Sequence, residues 1–291
     1  MMLYSNDIIE EIMLNKDEEL DEQYLPLGLM VGSKLRFSPT EDKKGIISKK
    51  VARFVNESIQ AFGYELGPHG QIFLINMVGE ILGNAEDHSA HSNYFVNGVA
   101  FRRDVKNENL EVELNLAIVN FGYSIYDGLR KTASKNPDQQ RRINKLFSTH
   151  EALIKSKKRS DLSKEALYTL YSLQQGVSRL KYEGDGRGNG TMNFIKNFMR
   201  LGVSKSNEKF SNLSVVSGRS SVLCSKDYAP HPNPNDKSMY QLSLNSENKL
   251  TSLPDKGRVK SIDQNFPGTI LQVKILMNKE NFEALLKENE S

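Results

Sequence analysis

Between residues 74 and 120 the spacing of apolar residues changes once, from a helical period to a strand period, and that change limits what the chain can become. Leu74, Met77, Val78, Ile81, Leu82 and Ala85 recur at the i, i+3, i+4, i+7 spacing of a helix face packed on a core. Two strand-like runs follow, Asn93 to Arg103 and Leu110 to Asn120, the second alternating apolar and polar residues in LEVELNLAIV. With the turn at KNEN they form an antiparallel pair, so a helix feeds a hairpin whose one face must be buried.

The remaining patterns are segregated in the same way. A helix is expected from about Lys44 to Ala61, then a Gly-Pro-His-Gly turn at 67 to 70 leads into the striped helix. From Tyr126 to Tyr182 the pattern is helical, with Ser163 placed to cap LSKEALYTLYSLQQGVSRL and Ala166, Leu167, Leu170 and Leu173 facing inward. A further helix at MNFIKNFMRL precedes four strand-like runs, NLSVVSG, SSVLCS, MYQLSL and TILQVKILM. Runs of helix and runs of strand, rather than a regular βαβ series, indicate an α+β sandwich. The expected organisation is an acidic arm and helical lead-in at 1–60, a main domain at 61–280 with a helical insert at about 126–182, and a short tail at 281–291. The arm carries Ile8, Ile9, Ile12 and Met13 at helical spacing, and LPLGLMVGSKL after it is irregular or strand.

Bulk properties remove several function classes. With 291 residues and 38% hydrophobic composition the chain can build a real core, and a formal charge of +3 does not by itself demand nucleic acid or an acidic membrane. No basic leader followed by an apolar stretch opens the sequence, and no run approaches membrane-spanning length, so a cytoplasmic protein without a membrane partner is expected. The single cysteine, Cys224, excludes an internal disulfide and a multi-cysteine zinc site. It lies in SSVLCSKD, whose alternation reads as strand.

Two features outside the core pattern point to chemistry. Glu80 and Asn84 stand one helical turn apart, on a different face from the apolar stripe. Gly184, Gly186, Gly188 and Gly190 alternate immediately before a helix, where backbone N–H groups can approach phosphate oxygens and the helix end adds positive potential. The alternatives are a solvated helix face and a surface loop. GLMVGSK at 28 to 34 lacks the four-residue spacing and Gly-Lys-Ser/Thr ending of a P-loop, and GDGRGNG is not G-x-G-x-x-G after a strand, so both common nucleotide loops are excluded. His88 and His91 form an HxxH without a further placed ligand and read as polar residues at a helix end.

Taken in order, EILGNAEDHS at 80 to 89, IVNFGYSI at 118 to 125, GRGNG at 186 to 190 and FPGTILQV at 266 to 273 resemble the boxes of the GHKL ATP-binding superfamily, which includes gyrase-type ATPases, ninety-kilodalton heat-shock chaperones, MutL-type repair proteins and histidine kinases. The resemblance spans roughly 65 to 277 and implies that family's fold, a two-layer α/β sandwich of a mixed sheet with helices on one face. It implies that Asn84 holds Mg²⁺ and that Glu80 is the general base that activates water. Gly186, Arg187, Gly188, Asn189 and Gly190 correspond to the phosphate loop, and Thr269, after Gly268, to the box beside the adenine. His88 lies next to the nucleotide pocket in this correspondence. The second box departs from the family's Asp-x-Gly-x-Gly: here the positions are Asn120, Gly122 and Ser124. An Asn carbonyl accepts a hydrogen bond without charge and its amide adds a donor, which loosens the expected adenine preference.

In the family the insert corresponds to an ATP lid. Here it carries Arg130, Lys131, Lys135, Arg141, Arg142, Lys145, Lys155, Lys157, Lys158 and Arg159 with few acids, a surface for nucleic acid or an acidic protein, or a solvated helical face. The acidic arm and basic insert attract each other, so a homodimer with a crossed arm is one implied assembly. The expected function is Mg-dependent ATP binding with slow hydrolysis, driving lid closure and the regulation of an unidentified protein partner. A non-hydrolysing ATP switch and a serine/threonine kinase of the anti-sigma-factor type are the alternatives.

Overall fold

The computed structural model describes residues 22–27, 30–33, 43–60, 66–105, 109–131, 136–177, 190–201, 211–234 and 236–278. The expected N-terminal amphipathic arm, the C-terminal tail and four of the five phosphate-loop residues, Gly186 to Asn189, lie outside them. Strands β1 (Glu22–Pro26) and β2 (Met30–Ser33) precede helices α1 (Lys43–Gln60) and α2 (Pro68–His88), and α2 runs without a linker into β3 (Ser89–Val105). Next come β4 (Asn109–Gly122), helices α3 (Ile125–Lys131), α4 (Pro137–Lys157), α5 (Lys164–Ser172) and α6 (Gly190–Leu201), and then β5 (Asn212–Ser225). A small hairpin, β6 (His231–Asn233) and β7 (Asp236–Gln241), leads through an ordered loop to the long β8 (Val259–Asn278).

The main sheet has the order β1-β3-β4-β8-β5, with β2 pairing farther along the same strand β3. Every pairing in it is antiparallel, which corrects the expected mixed sheet. The chain reaches this arrangement because β3 and β4 form a hairpin and β8 returns between β4 and β5, running opposite to both. One face carries Tyr94, Val96, Val112, Leu114, Leu116, Ile118, Leu213, Val215, Leu271, Val273 and Ile275, all buried in one cluster with the helices. The expected stripe of α2 is buried in full, and α1 adds Val51, Phe54 and Ile59 to the same core.

Local chemistry explains where the expected elements shift. The Gly-Pro-His-Gly segment is not a turn ahead of the helix, because Pro68 occupies the first helical position, where its fixed φ fits and its missing N–H has no helical partner to lose. Among the described residues the helical run expected at 126–182 is three helices: α4 ends at Lys158 in a left-handed conformation, and α5 restarts at Ser163, whose hydroxyl accepts from Ala166 N at 3.1 Å. Ala166, Leu167, Leu170 and Leu173 face inward as expected, but Tyr168, Thr169 and Tyr171 are buried too, since α5 is enclosed between the sheet and its neighbouring helices. NLSVVSG and SSVLCS are one strand, β5, bent at Gly218, where φ is +58° and the register slips. MYQLSL is strand only to Gln241; Leu244 adopts φ +54° and enters a loop organised by the buried amide of Asn245.

Among the described residues no helix is long and apolar enough to cross a membrane. Cys224 is buried in β5, and that burial pushes its thiol up to about 12, so it is no nucleophile at neutral pH.

Candidate functional site

Glu80 and Asn84 share one side of α2. Glu80 is exposed and Asn84 is half-buried, while the residues between them, Ile81 and Leu82, point into the core. The start of α6 sits directly against both. Asn84 Nδ2 donates to Thr191 Oγ1 at 3.2 Å, which leaves its Oδ1 as the atom that can meet a cation. A Cβ placed on Gly190 would come to 2.7 Å from Glu80 Oε2 and 3.3 Å from Glu80 Cβ, so glycine is required for this close approach. Residues 107 positions apart are therefore joined at the helix that follows the glycine loop.

The second part of the site is a polar row across the sheet. Asn120 on β4 pairs with Thr269 on β8, which pairs with Ser217 on β5. Each continues the alternation of buried apolar residues in its own strand, so the three polar groups stand side by side on the helix-covered face at one end of the sheet. Asn120 is buried, and one amide orientation satisfies both of its neighbours: turned that way, Nδ2 donates to Thr269 O (3.0 Å) and Oδ1 accepts from Ser89 N (3.3 Å). Since Ser89 closes α2 at its C-terminal end, this contact ties the row to the helix that carries Asn84, five residues earlier.

No protein-family model, curated protein or solved structure matches this chain.

The turn after β4 holds the other second-box residues. Gly122 has φ +150°, and Ser124 caps α3: its hydroxyl accepts from Asp127 N at 3.1 Å and donates to Asp127 Oδ2 at 2.8 Å. Ser124 is buried, so the structure gives it a capping role at the mouth of the row. Gly268, with φ +145°, lies so close to the Asn120 backbone that a Cβ would collide with the Asn120 carbonyl. Here the glycine is needed by the close approach of the paired strands β4 and β8, next to the position of Thr269.

Three participants were not singled out as site residues by the pattern: Ser89, Thr191 and Ser217. A signal for Ser217 exists in the sequence, since it breaks the Leu213, Val215 alternation at the position that falls in register with Thr269. Thr191 follows the glycine loop but has no signature of its own. His88 ends α2 as expected, and His91 belongs to β3. No group of three or more His, Cys, Asp or Glu suited to a metal occurs among the described residues. A hard cation held by one amide oxygen and by phosphate oxygens has no need of such a group.

The basic insert divides. Arg130, Lys131, Arg142, Lys145, Lys157 and Lys158 are exposed, and so are Arg141 and Lys155, which pair at the surface with Asp138 and, at 3.3 Å, with Glu151. Lys135 lies outside the described residues. Arg159 is structural: Nε and Nη2 reach the Asp161 carboxylate at 2.7 and 2.8 Å, and Nη1 donates to Pro254 O at 3.0 Å. The Arg159 guanidinium holds the Asp161 carboxyl below the usual carboxylate range.

Proposed function

We propose that the chain binds Mg-ATP in the manner of the GHKL superfamily and hydrolyses it slowly, with Glu80 as the base. The observation that carries this reading is the meeting of Glu80 and Asn84 with Gly190 and Thr191, at the start of a helix preceded by alternating glycines. Sequence boxes that resemble the superfamily's thus contribute neighbouring groups: the first meets the last residue of the third where Glu80 packs against Gly190, with Asn84 bonded to the next residue, Thr191, and the second meets the fourth through Asn120 and Thr269.

The residues present suit this task. Asn84 Oδ1 would hold Mg²⁺ as a neutral oxygen ligand, and the bound metal would supply charge neutralisation at the phosphates. Backbone N–H groups at the start of α6 meet phosphate oxygens with the positive end of the helix behind them. Glu80 orients a water and accepts its proton as the water oxygen attacks the γ-phosphorus, while the bond from that phosphorus to the β,γ-bridging oxygen breaks and ADP leaves with its electron pair. Asn120 and Thr269 face the base from the sheet. Phosphate release measured with and without Mg²⁺ tests the reading. Glu80→Ala is expected to lower turnover by about a hundredfold or more while ATP binding persists. Equal turnover in parent and variant would remove Glu80 from the mechanism, and absence of ATP binding to the parent would remove the reading itself.

A further inference from the structure

Ser217 is fully buried, yet its hydroxyl has three partners: Ile125 N at 2.8 Å, Thr269 Oγ1 at 2.8 Å and Gly268 O at 3.1 Å. A serine hydroxyl has one proton to donate and two lone pairs to accept with. The Ile125 N–H can only donate and the Gly268 carbonyl can only accept. One assignment satisfies all three contacts: Ser217 accepts from Ile125 N, donates to Gly268 O, and accepts the proton of Thr269. Were Ser217 to donate to Thr269 instead, the Gly268 contact would be lost inside a buried site, where an unmade hydrogen bond is costly.

This assignment has a consequence for the ligand. With its proton committed to Ser217, Thr269 presents only lone pairs to a base. We infer that Ser217 is a specificity-determining positioning residue, which fixes Thr269 as a hydrogen-bond acceptor and so selects purine nucleotides with a 6-amino group over those with a 6-oxo group. The inference rests on the ATP reading above and deepens it. It also explains how a site with Asn120 in place of an aspartate keeps a preference for adenine: Asn120 spends its amide on Ser89 N and Thr269 O, and the acceptor is supplied one strand over. The same hydroxyl receives the first N–H of α3, which fixes the oxygen's direction from the insert side.

The test compares ATP with inosine triphosphate, which carries a 6-oxo group, by equilibrium binding to the full chain. The parent is expected to favour ATP by roughly fivefold to tenfold, the worth of one net hydrogen bond. In Ser217→Ala the Thr269 proton is released to donate to the 6-oxo group, and the preference falls to within about twofold. Parallel weakening of both nucleotides, with the ratio kept, would assign Ser217 a structural role and overturn the inference. Thr269→Val supplies an independent reading if the serine variant does not fold: it should lower ATP affinity and leave inosine triphosphate nearly unchanged, and a retained preference there also overturns the inference. A parent chain that binds ATP without preferring it defeats the inference alone. One that binds neither nucleotide defeats the ATP reading beneath it.

Discussion

Asn120 shows how much one atom decides. At this position the superfamily pattern has Asp, whose carboxylate cannot donate, whereas here an N–H of Asn120 satisfies the Thr269 carbonyl across the strand. Asn120→Asp therefore sets a buried carboxylate against a carbonyl oxygen, and we expect a loss of about 1–3 kcal/mol in stability, read as a lower melting temperature at pH 7. An unchanged melt would show that the Asn120 amide does not hold Thr269. His150 is a second single-residue case. It is fully buried in α4, with Nδ1 at 2.5 Å from the buried Tyr171 hydroxyl. Burial lowers its affinity for a proton. The folded state therefore binds a proton less readily than the unfolded chain, so this contribution to stability is intact above about pH 6.5 and is lost as pH falls from there toward the depressed folded value. Melting temperature followed from pH 7.5 to 5 should drop, and His150→Gln should flatten that drop. A slope identical in the variant would assign the acid sensitivity to other groups.

Elements are placed by their ends. α2 starts on Pro68 and stops at Ser89, α5 starts after its cap Ser163, and in α6 Gly190 leaves the space that the Glu80 carboxylate fills. The last of these allows a clean test of geometry. In Gly190→Ala the new Cβ meets the end of a flexible, exposed carboxylate, which can swing away without unfolding the helix. The protein should remain folded, with circular dichroism unchanged, while phosphate release falls as Glu80 is displaced from its position. Unimpaired turnover would mean that the Glu80 carboxylate does not act from the place where it lies. Gly218 is a stricter position: φ is +58°, and a side chain would run into the Glu165 carboxylate, which accepts from Arg219 N at 2.8 Å. Alanine there disturbs the β5 bend and the contact with α5 together, so it should cost stability rather than turnover alone.

On the scale of the whole molecule, the insert is tied into the fold rather than appended to it. Arg159 joins the α4–α5 connection to the loop before β8, and a buried hydroxyl chain runs from Thr169 on α5 through Ser220 to the Ser217 carbonyl. The end of the sheet that carries the polar row is thereby connected to the helices covering it. Arg159→Ala leaves Asp161 without its cation and Pro254 O without a donor, and a destabilisation of about 1–2 kcal/mol is expected in chemical denaturation. Denaturation curves that superimpose would mean that the two segments are held by other contacts.

Legibility followed the range of the interactions. The stripe of α2, the β3–β4 pair, the cap at Ser163 and the strand around Cys224 were readable from sequence, because period and capping chemistry act over a few residues and are repeated in the chain. The pairing of Glu80 with Asn84 was readable for the same reason, being one helical turn. Antiparallel order, the fusion of two runs into β5 and the enclosure of α5 were not, since they depend on which strand returns beside which. Only the tertiary structure brought Thr191 to Asn84, Thr269 to Asn120 and Ser217 to Thr269. Those contacts span up to 149 positions, from Asn120 to Thr269, and no local pattern encodes them. The sequence alone determined which segments would be helix or strand and which polar residues stood out from the apolar pattern. Where those residues meet was decided by packing, because burying the apolar faces of sheet and helices against each other leaves their polar ends side by side.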